Sequence, residues 1–202
     1  MAAFDEALPF VLRWEGGLVD DPDDAGGRTN KGVTQRVYDR WRARQGLQSQ
    51  DVQAIDNDEL RAIYEADYWL PPRCDVLYQP LDLVQFDTAV NMGPRRAVRF
   101  LQMAVGCPVD GVFGPMTKQA TDSRDAASVV EIYCGIREQF YRDIVAAKPS
   151  QKKFLKGWLN RLNSLRQEAG MPGLESAEPL DFGDAPFIRR IPDFGEDPEY
   201  DL

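Results

Sequence analysis

The chain has 202 residues, 43% hydrophobic and 28% charged, enough for one sizeable core or two small ones. It has no apolar run approaching about 18 residues, which excludes a transmembrane helix, and no histidine, which excludes Ser-His-Asp and Cys-His catalysis and His-ligated zinc. The net charge of −9 is uneven: residues 171–202 hold nine acids and two bases, so the body is close to neutral and has no basic patch dense enough for nucleic acid.

The predicted elements are almost all helical. A first helix runs from about Asp5, its expected N-cap, to Glu15, with Pro9 in or near the first turn, where proline is best tolerated. Leu8, Val11, Leu12 and Glu15 fall at i, i+3, i+4 and i+7, so a carboxylate continues the apolar stripe. Such a carboxylate seldom lacks a partner or a task, because burying its charge is costly. Apolar surroundings and the negative end of the helix dipole favour the neutral acid, the form a general acid for glycoside cleavage needs. The alternative is a Glu that only reaches water at a helix end.

Residues 16–32 form a loop rich in Gly, Asp and Thr, with room for a short hairpin or irregular strand pair within 18–34. A second helix starts near Thr34 and carries Val37, Tyr38 and Trp41. A third, capped by Asn57 or Asp58, has Leu60, Ile63 and Tyr64 as its stripe. Pro71-Pro72 ends the segment after Trp69. A fourth helix near Leu81–Met92 places Leu83, Asp87 and Val90 on one side, with Asn91 at i+4 from Asp87; Gly93-Pro94 stops it. A fifth covers about Arg95–Val105. Asp110-Gly111 and Gly114-Pro115 make two turns around Val112-Phe113. A long helix at about Ala126–Ala147 has Val129, Tyr133, Ile136, Phe140 and Ile144 as its stripe. The last, about Gln151–Glu168, uses Leu155, Trp158, Leu159, Leu162 and Leu165. No alternating run is long enough for a major sheet.

Three cysteines at wide spacing, Cys74, Cys107 and Cys134, suit free thiols in a reducing compartment. The start, MAAFDEALPF, has no basic n-region and does not read as a secretory signal. In the tail, Asp181-Phe182-Gly183-Asp184-Ala185-Pro186 recurs as Asp193-Phe194-Gly195-Glu196-Asp197-Pro198. Either the tail is a plain acidic disordered segment, or Phe182, Phe187, Ile188, Ile191, Phe194 and Tyr200 are anchors of a docking element for a partner protein.

The loop after Glu15 carries the chemistry. An EF-hand starting at Asp21 fails, because Ala25 would fall on a ligand position and Gly32 where the bidentate Glu belongs, which leaves a weaker non-EF calcium site on the Asp cluster as the competing reading. A glycosidase needs an acid and a second polar group across the bond. A glycine-permissive loop returning to the helix end can present Asp21, Asp24 or Thr29 there, and its glycines let backbone approach a sugar.

Glu15-Gly16-Gly17, followed by Asp21-Pro22-x-Asp24-x-Gly26-Gly27-x-Thr29-Asn30-x-Gly32-Val33-Thr34, resembles the N-terminal signature of glycoside hydrolase family 108, the lysozyme-like N-acetylmuramidases of phage endolysins and related bacterial enzymes. The resemblance continues through Tyr68-Trp69 and Phe86–Pro94. Leu101-Gln102, Val109–Thr117 and Phe154-x-x-Gly157-Trp158-x-x-Arg161 are similar to the helical peptidoglycan-binding domain that often follows. Trp14 stands where the family often has a smaller polar residue or His, and Leu18 replaces a common Tyr.

The resemblance implies a mainly α fold. It comprises a lysozyme-like muramidase domain over residues 1–94, a small helical peptidoglycan-binding domain over 95–170, and an extended acidic tail over 171–202. It implies Glu15 as catalytic acid, assisted by Asp24 and Thr29. Asp21, Gly32, Thr34, Tyr68, Trp69, Asp87 and Asn91 are candidate substrate contacts, although Asp24 could instead lock its loop and Asp87 with Asn91 could be a satisfied buried pair. No metal or cofactor is called for, and the expected partners are peptidoglycan and, through residues 173–202, a virion or secretion protein. The expected route is synthesis in the cytoplasm and action on the wall after a holin-type lesion, special export or carriage in a virion. Two other readings compete: a lytic transglycosylase on the same bond, and a non-enzymatic wall-binding virion component.

Overall fold

The structure, a computed structural model, describes residues 3–16 and 28–173. Asp21, Asp24 and the tail beyond Gly173 lie outside the described residues. The described chain holds eight α-helices and one two-stranded antiparallel sheet, so it is mainly α as expected. It divides into two compact units, Met1–Leu70 and Pro71–Leu202.

The first unit opens with α1 (Ala3–Trp14), which starts before the expected cap. Asp5 sits in its first turn and its carboxylate accepts from Arg61 Nε at 2.8 Å. Pro9 is not in the first turn but in the helix interior. It is tolerated on the exposed side, at the cost of one backbone hydrogen bond. The buried face is Phe4, Ala7, Phe10 and Val11, with Leu8 and Leu12 half-buried at its edge. Trp69 packs edge-on against Phe4, with ring centroids 5.4 Å apart.

β1 (Thr29–Asn30) and β2 (Val33–Thr34) form the hairpin, with Thr29 opposite Thr34 and Asn30 opposite Val33. Its two turn residues are both left-handed, Lys31 at φ 50° and Gly32 at φ 78°. That is the backbone a two-residue hairpin needs to match strand twist. α2 (Gln35–Arg44) follows directly, and Thr34 caps it by accepting from the Val37 N–H.

α3 (Asn57–Tyr64) is capped by Asp56, one residue before the expected Asn57 or Asp58. Asp56 Oδ1 accepts from Glu59 N at 2.8 Å and Glu59 Oε2 accepts in return from Asp56 N, a reciprocal box the sequence reading overlooked. Glu59 also accepts from Arg42 and Tyr38, which ties α3 to α2. A π-helical turn, Glu65–Trp69, carries the chain out of α3.

The second unit is built on α4 (Leu81–Met92), buried on almost every side. Gly93, at φ 87°, turns the chain into α5 (Pro94–Val105), whose first residue is a proline. α7 (Ala126–Ala147), capped by Asp125, packs on both α4 and α5, and α8 (Lys152–Glu168) packs on α7. α6 (Pro115–Asp122) was read from sequence only as a turn. Its buried residues are Thr117 and Thr121, so it has no apolar stripe to announce it.

The Asp110-Gly111 turn is held from below by Gln102. Its Nε2 donates to Asp110 Oδ1 at 2.7 Å and to Val112 O at 3.1 Å, and its Oε1 accepts from Gly111 N at 2.8 Å. A buried amide is thereby fully employed in shaping one loop.

Candidate active site

Glu15 follows the last residue of α1 and is half-buried, at the edge of the buried stripe and not within it. The hairpin turn comes to meet it. A Cβ added to Gly32 would overlap the Tyr64 hydroxyl and stand 2.9 Å from Glu15 Oε2. Three features therefore converge on one spot: the carboxylate at the end of α1, the apex of the hairpin and a phenol from α3. Only glycine satisfies both the left-handed turn and the close approach.

Tyr64, expected as part of the apolar stripe of α3, also reaches this spot. It is buried, and its hydroxyl donates to the Lys31 carbonyl at 2.9 Å, fixing the turn beside Glu15. The signal was present in the sequence: a tyrosine in an apolar stripe carries a hydroxyl that needs a partner.

Further bonds anchor the hairpin to the 51–57 segment. Asn30 Nδ2 donates to Val52 O at 3.2 Å, Lys31 Nζ to Asn57 Oδ1 at 3.3 Å, and Arg28 pairs with Asp51 at 2.6 Å. Thr29 is half-buried on β1 across from Thr34, whose hydroxyl is engaged as the cap of α2. Tyr68 is half-buried, its ring 5.6 Å from that of Tyr64. Trp69 is buried against Phe4 and is a core residue, not a surface for sugar.

Asp87 and Asn91 belong to the second unit, where both are wired into a buried cluster. Asp87 Oδ2 accepts from Arg137 at 2.6 Å and Oδ1 from Arg161 at 2.9 Å. Asn91 Oδ1 accepts from Tyr141 Oη at 2.7 Å and from Arg137 Nη2 at 3.3 Å. Burial pushes the Asp87 carboxyl up, but the Arg161 and Arg137 guanidiniums outweigh it and hold the group below the usual carboxylate range. With 0% exposure, Asp87 fills the second of its two expected roles, a satisfied buried pair. The Cys134 thiol is pushed up to about 12, mainly by burial, so it is no nucleophile.

Within the first unit the hairpin turn, the Tyr64 hydroxyl and the Glu15 carboxylate stand together, and within the second Asp87 and Asn91 are tied to Arg137, Tyr141 and Arg161. Residues 8–93 match the family glycosyl hydrolase 108, and residues 96–163 match the predicted peptidoglycan domain. Among solved structures, the chain is similar to that of Brucella abortus SagA, at 32% identity and a TM-score of 0.69, over 87% of this chain and 98% of that one. No curated protein matches it. With a relative of that identity aligned over nearly its whole length, and both family matches in order, the chain belongs to glycosyl hydrolase family 108 and is a peptidoglycan hydrolase.

Proposed function

We propose that the protein cleaves the β-1,4 bond between N-acetylmuramic acid and N-acetylglucosamine, with Glu15 protonating the leaving oxygen. The observation that carries this is the convergence of Glu15, Gly32 and Tyr64. A turn without a side chain lies against the carboxylate and is held by the Tyr64 hydroxyl, so the acid is presented from a braced backbone. Thr29, on the strand leading into that turn, orients water on the far side of the bond. Asp24 or Asp21 supplies the second carboxylate. Tyr68 borders the same region and contacts a sugar face.

Digestion of purified peptidoglycan by the wild type and Glu15→Gln, with mass analysis of the products, tests this reading. Reducing N-acetylmuramic acid ends that vanish in the mutant are expected. Anhydro ends would instead make the reaction a transglycosylation, and undiminished activity in the mutant would remove Glu15 from its role.

The setting we infer is phage or phage-like wall degradation, with residues 173–202 docking a protein that carries the enzyme to the wall. Phe182, Phe187, Ile188, Ile191, Phe194 and Tyr200, set among prolines and acids, are the anchors. Equal recovery of the carrier with full-length and tail-deleted protein would sink this part.

A further inference from the structure

The first turns of α8 carry an exposed basic and aromatic surface. Lys148, Lys152, Lys153 and Lys156 are all exposed, and no Asp or Glu occurs between residues 148 and 167. Within this basic stretch, Phe154, Gly157 and Trp158 fall at i, i+3 and i+4, on one face of the helix.

The aromatic part is fixed in place. Trp158 stacks on Tyr141 of α7 at 5.2 Å and 17°, and the Phe154 ring lies 6.0 Å from Trp158 at 29°. Tyr141 is held from below, donating to Asn91 at 2.7 Å and accepting from Arg137 Nε at 3.0 Å. The outer ring, Phe154, is 46% exposed, with Lys153 Nζ 4.8 Å from its centroid. Gly157 is the unexplained residue. A Cβ there would meet nothing within 4 Å, so the fold does not require glycine, and glycine weakens a helix interior. What its absence of side chain provides is an open gap beside the two rings.

We propose that this face of α8 is the glycan-strand contact of the second unit. Sugar rings stack on Phe154 and the flank of Trp158, with Gly157 leaving room for them, while Lys152, Lys153 and Lys156 pair with the carboxylates of the stem peptides. The proposal rests on the peptidoglycan reading and deepens it. Two observations favour this occupant. The whole patch lies inside residues 96–163, which match the predicted peptidoglycan domain. The patch also joins flat apolar rings to cations, and a peptidoglycan strand joins pyranose faces to carboxylates at each repeat.

Co-sedimentation of the full-length chain with purified sacculi tests it. The Lys152→Gln/Lys153→Gln/Lys156→Gln triple variant and Phe154→Ala are expected to bind about tenfold more weakly, with melting temperature unchanged. Gly157→Leu separates binding from folding: its melting temperature is held or raised while sacculus binding falls. Sacculi stripped of stem peptides hold the wild type no better than they hold the triple variant. Wild type that neither binds nor cleaves sacculi overturns the peptidoglycan reading itself. Wild-type-level binding by all the variants overturns this inference alone. So does either of two shifts in which sacculus binding is untouched: binding to phosphatidylglycerol vesicles that the triple variant loses, or binding of a synthetic 174–202 peptide that the triple variant loses.

Discussion

Gly32 and Tyr64 are packed against the Glu15 carboxylate at the hairpin turn. Replacing Gly32 by Ala forces a side chain into a left-handed backbone at φ 78° and against both the Tyr64 hydroxyl and Glu15. We expect a loss of about 1–3 kcal/mol in stability and a larger proportional loss of activity, because the turn must back away from the carboxylate. Chemical denaturation and turnover of peptidoglycan on the same preparation check the two effects. Tyr64→Phe keeps the ring packing but leaves the Lys31 carbonyl unmet, costing about 1–3 kcal/mol. If Tyr64 positions Glu15, kcat falls in this variant while KM holds; unchanged kcat in a destabilised protein would make the hydroxyl purely structural. The signature loop marks Glu15 and Gly32 as candidates, and the structure sets the two side by side. Tyr64 is not marked in this way, because periodicity reports which face a residue occupies and says nothing of what its polar tip touches. Asp87 illustrates the converse: the sequence placed it on an inward face, but its two arginine partners come from helices about 50 and 74 residues away, a pairing no local pattern contains.

At the scale of elements, the helices were readable where apolar periodicity is strong. α4 and α7 carry the bounds expected of them, and α8 differs by one residue at its start. Structure and expectation differ at helix ends and in short pieces. α3 is capped by Asp56 because the box needs a glutamate three residues on, and Glu59 stands there. Asp56→Ala is expected to cost about 1 kcal/mol, read from the denaturation midpoint. Pro9 gives a prediction of the opposite sign. It sits inside α1 on the exposed side, where it removes a donor and its ring crowds the carbonyl one turn back. Pro9→Ala restores the missing bond and should stabilise the protein by about 1–3 kcal/mol. A lower melting temperature in that variant would mean that α1 needs a bend there to bring its end, and Glu15, to the hairpin.

At the largest scale, the second unit carries an acid response of its own. Asp87, Asp110 and Asp125 are all held below the usual carboxylate range, and all three lie in the unit Pro71–Leu202. At Asp110 the cause is first the Gln102 amide, and at Asp125 the Ser128 backbone N–H. Both are surface groups, and Asp87 is the one whose ionisation is bound up with a buried cluster. A folded-state value below the unfolded one means that the unfolded chain binds more protons. The Asp87 contribution is therefore fully present above about pH 3.9 and is lost as pH falls through the lower folded value. Asp87→Asn removes the charge that neutralises Arg137 and Arg161 and should cost about 3–5 kcal/mol near neutral pH. The same cycle fixes how that cost varies with pH. Once Asp87 is protonated in the wild type, it too is a neutral group facing two cations, so the gap between wild type and Asp87→Asn must narrow as the solution is acidified below pH 4. Calorimetric melting temperatures of both proteins from pH 6 to pH 2.5 measure that gap. Curves that stay parallel would show that the cluster depends on the shape of the residue at position 87 and not on its charge.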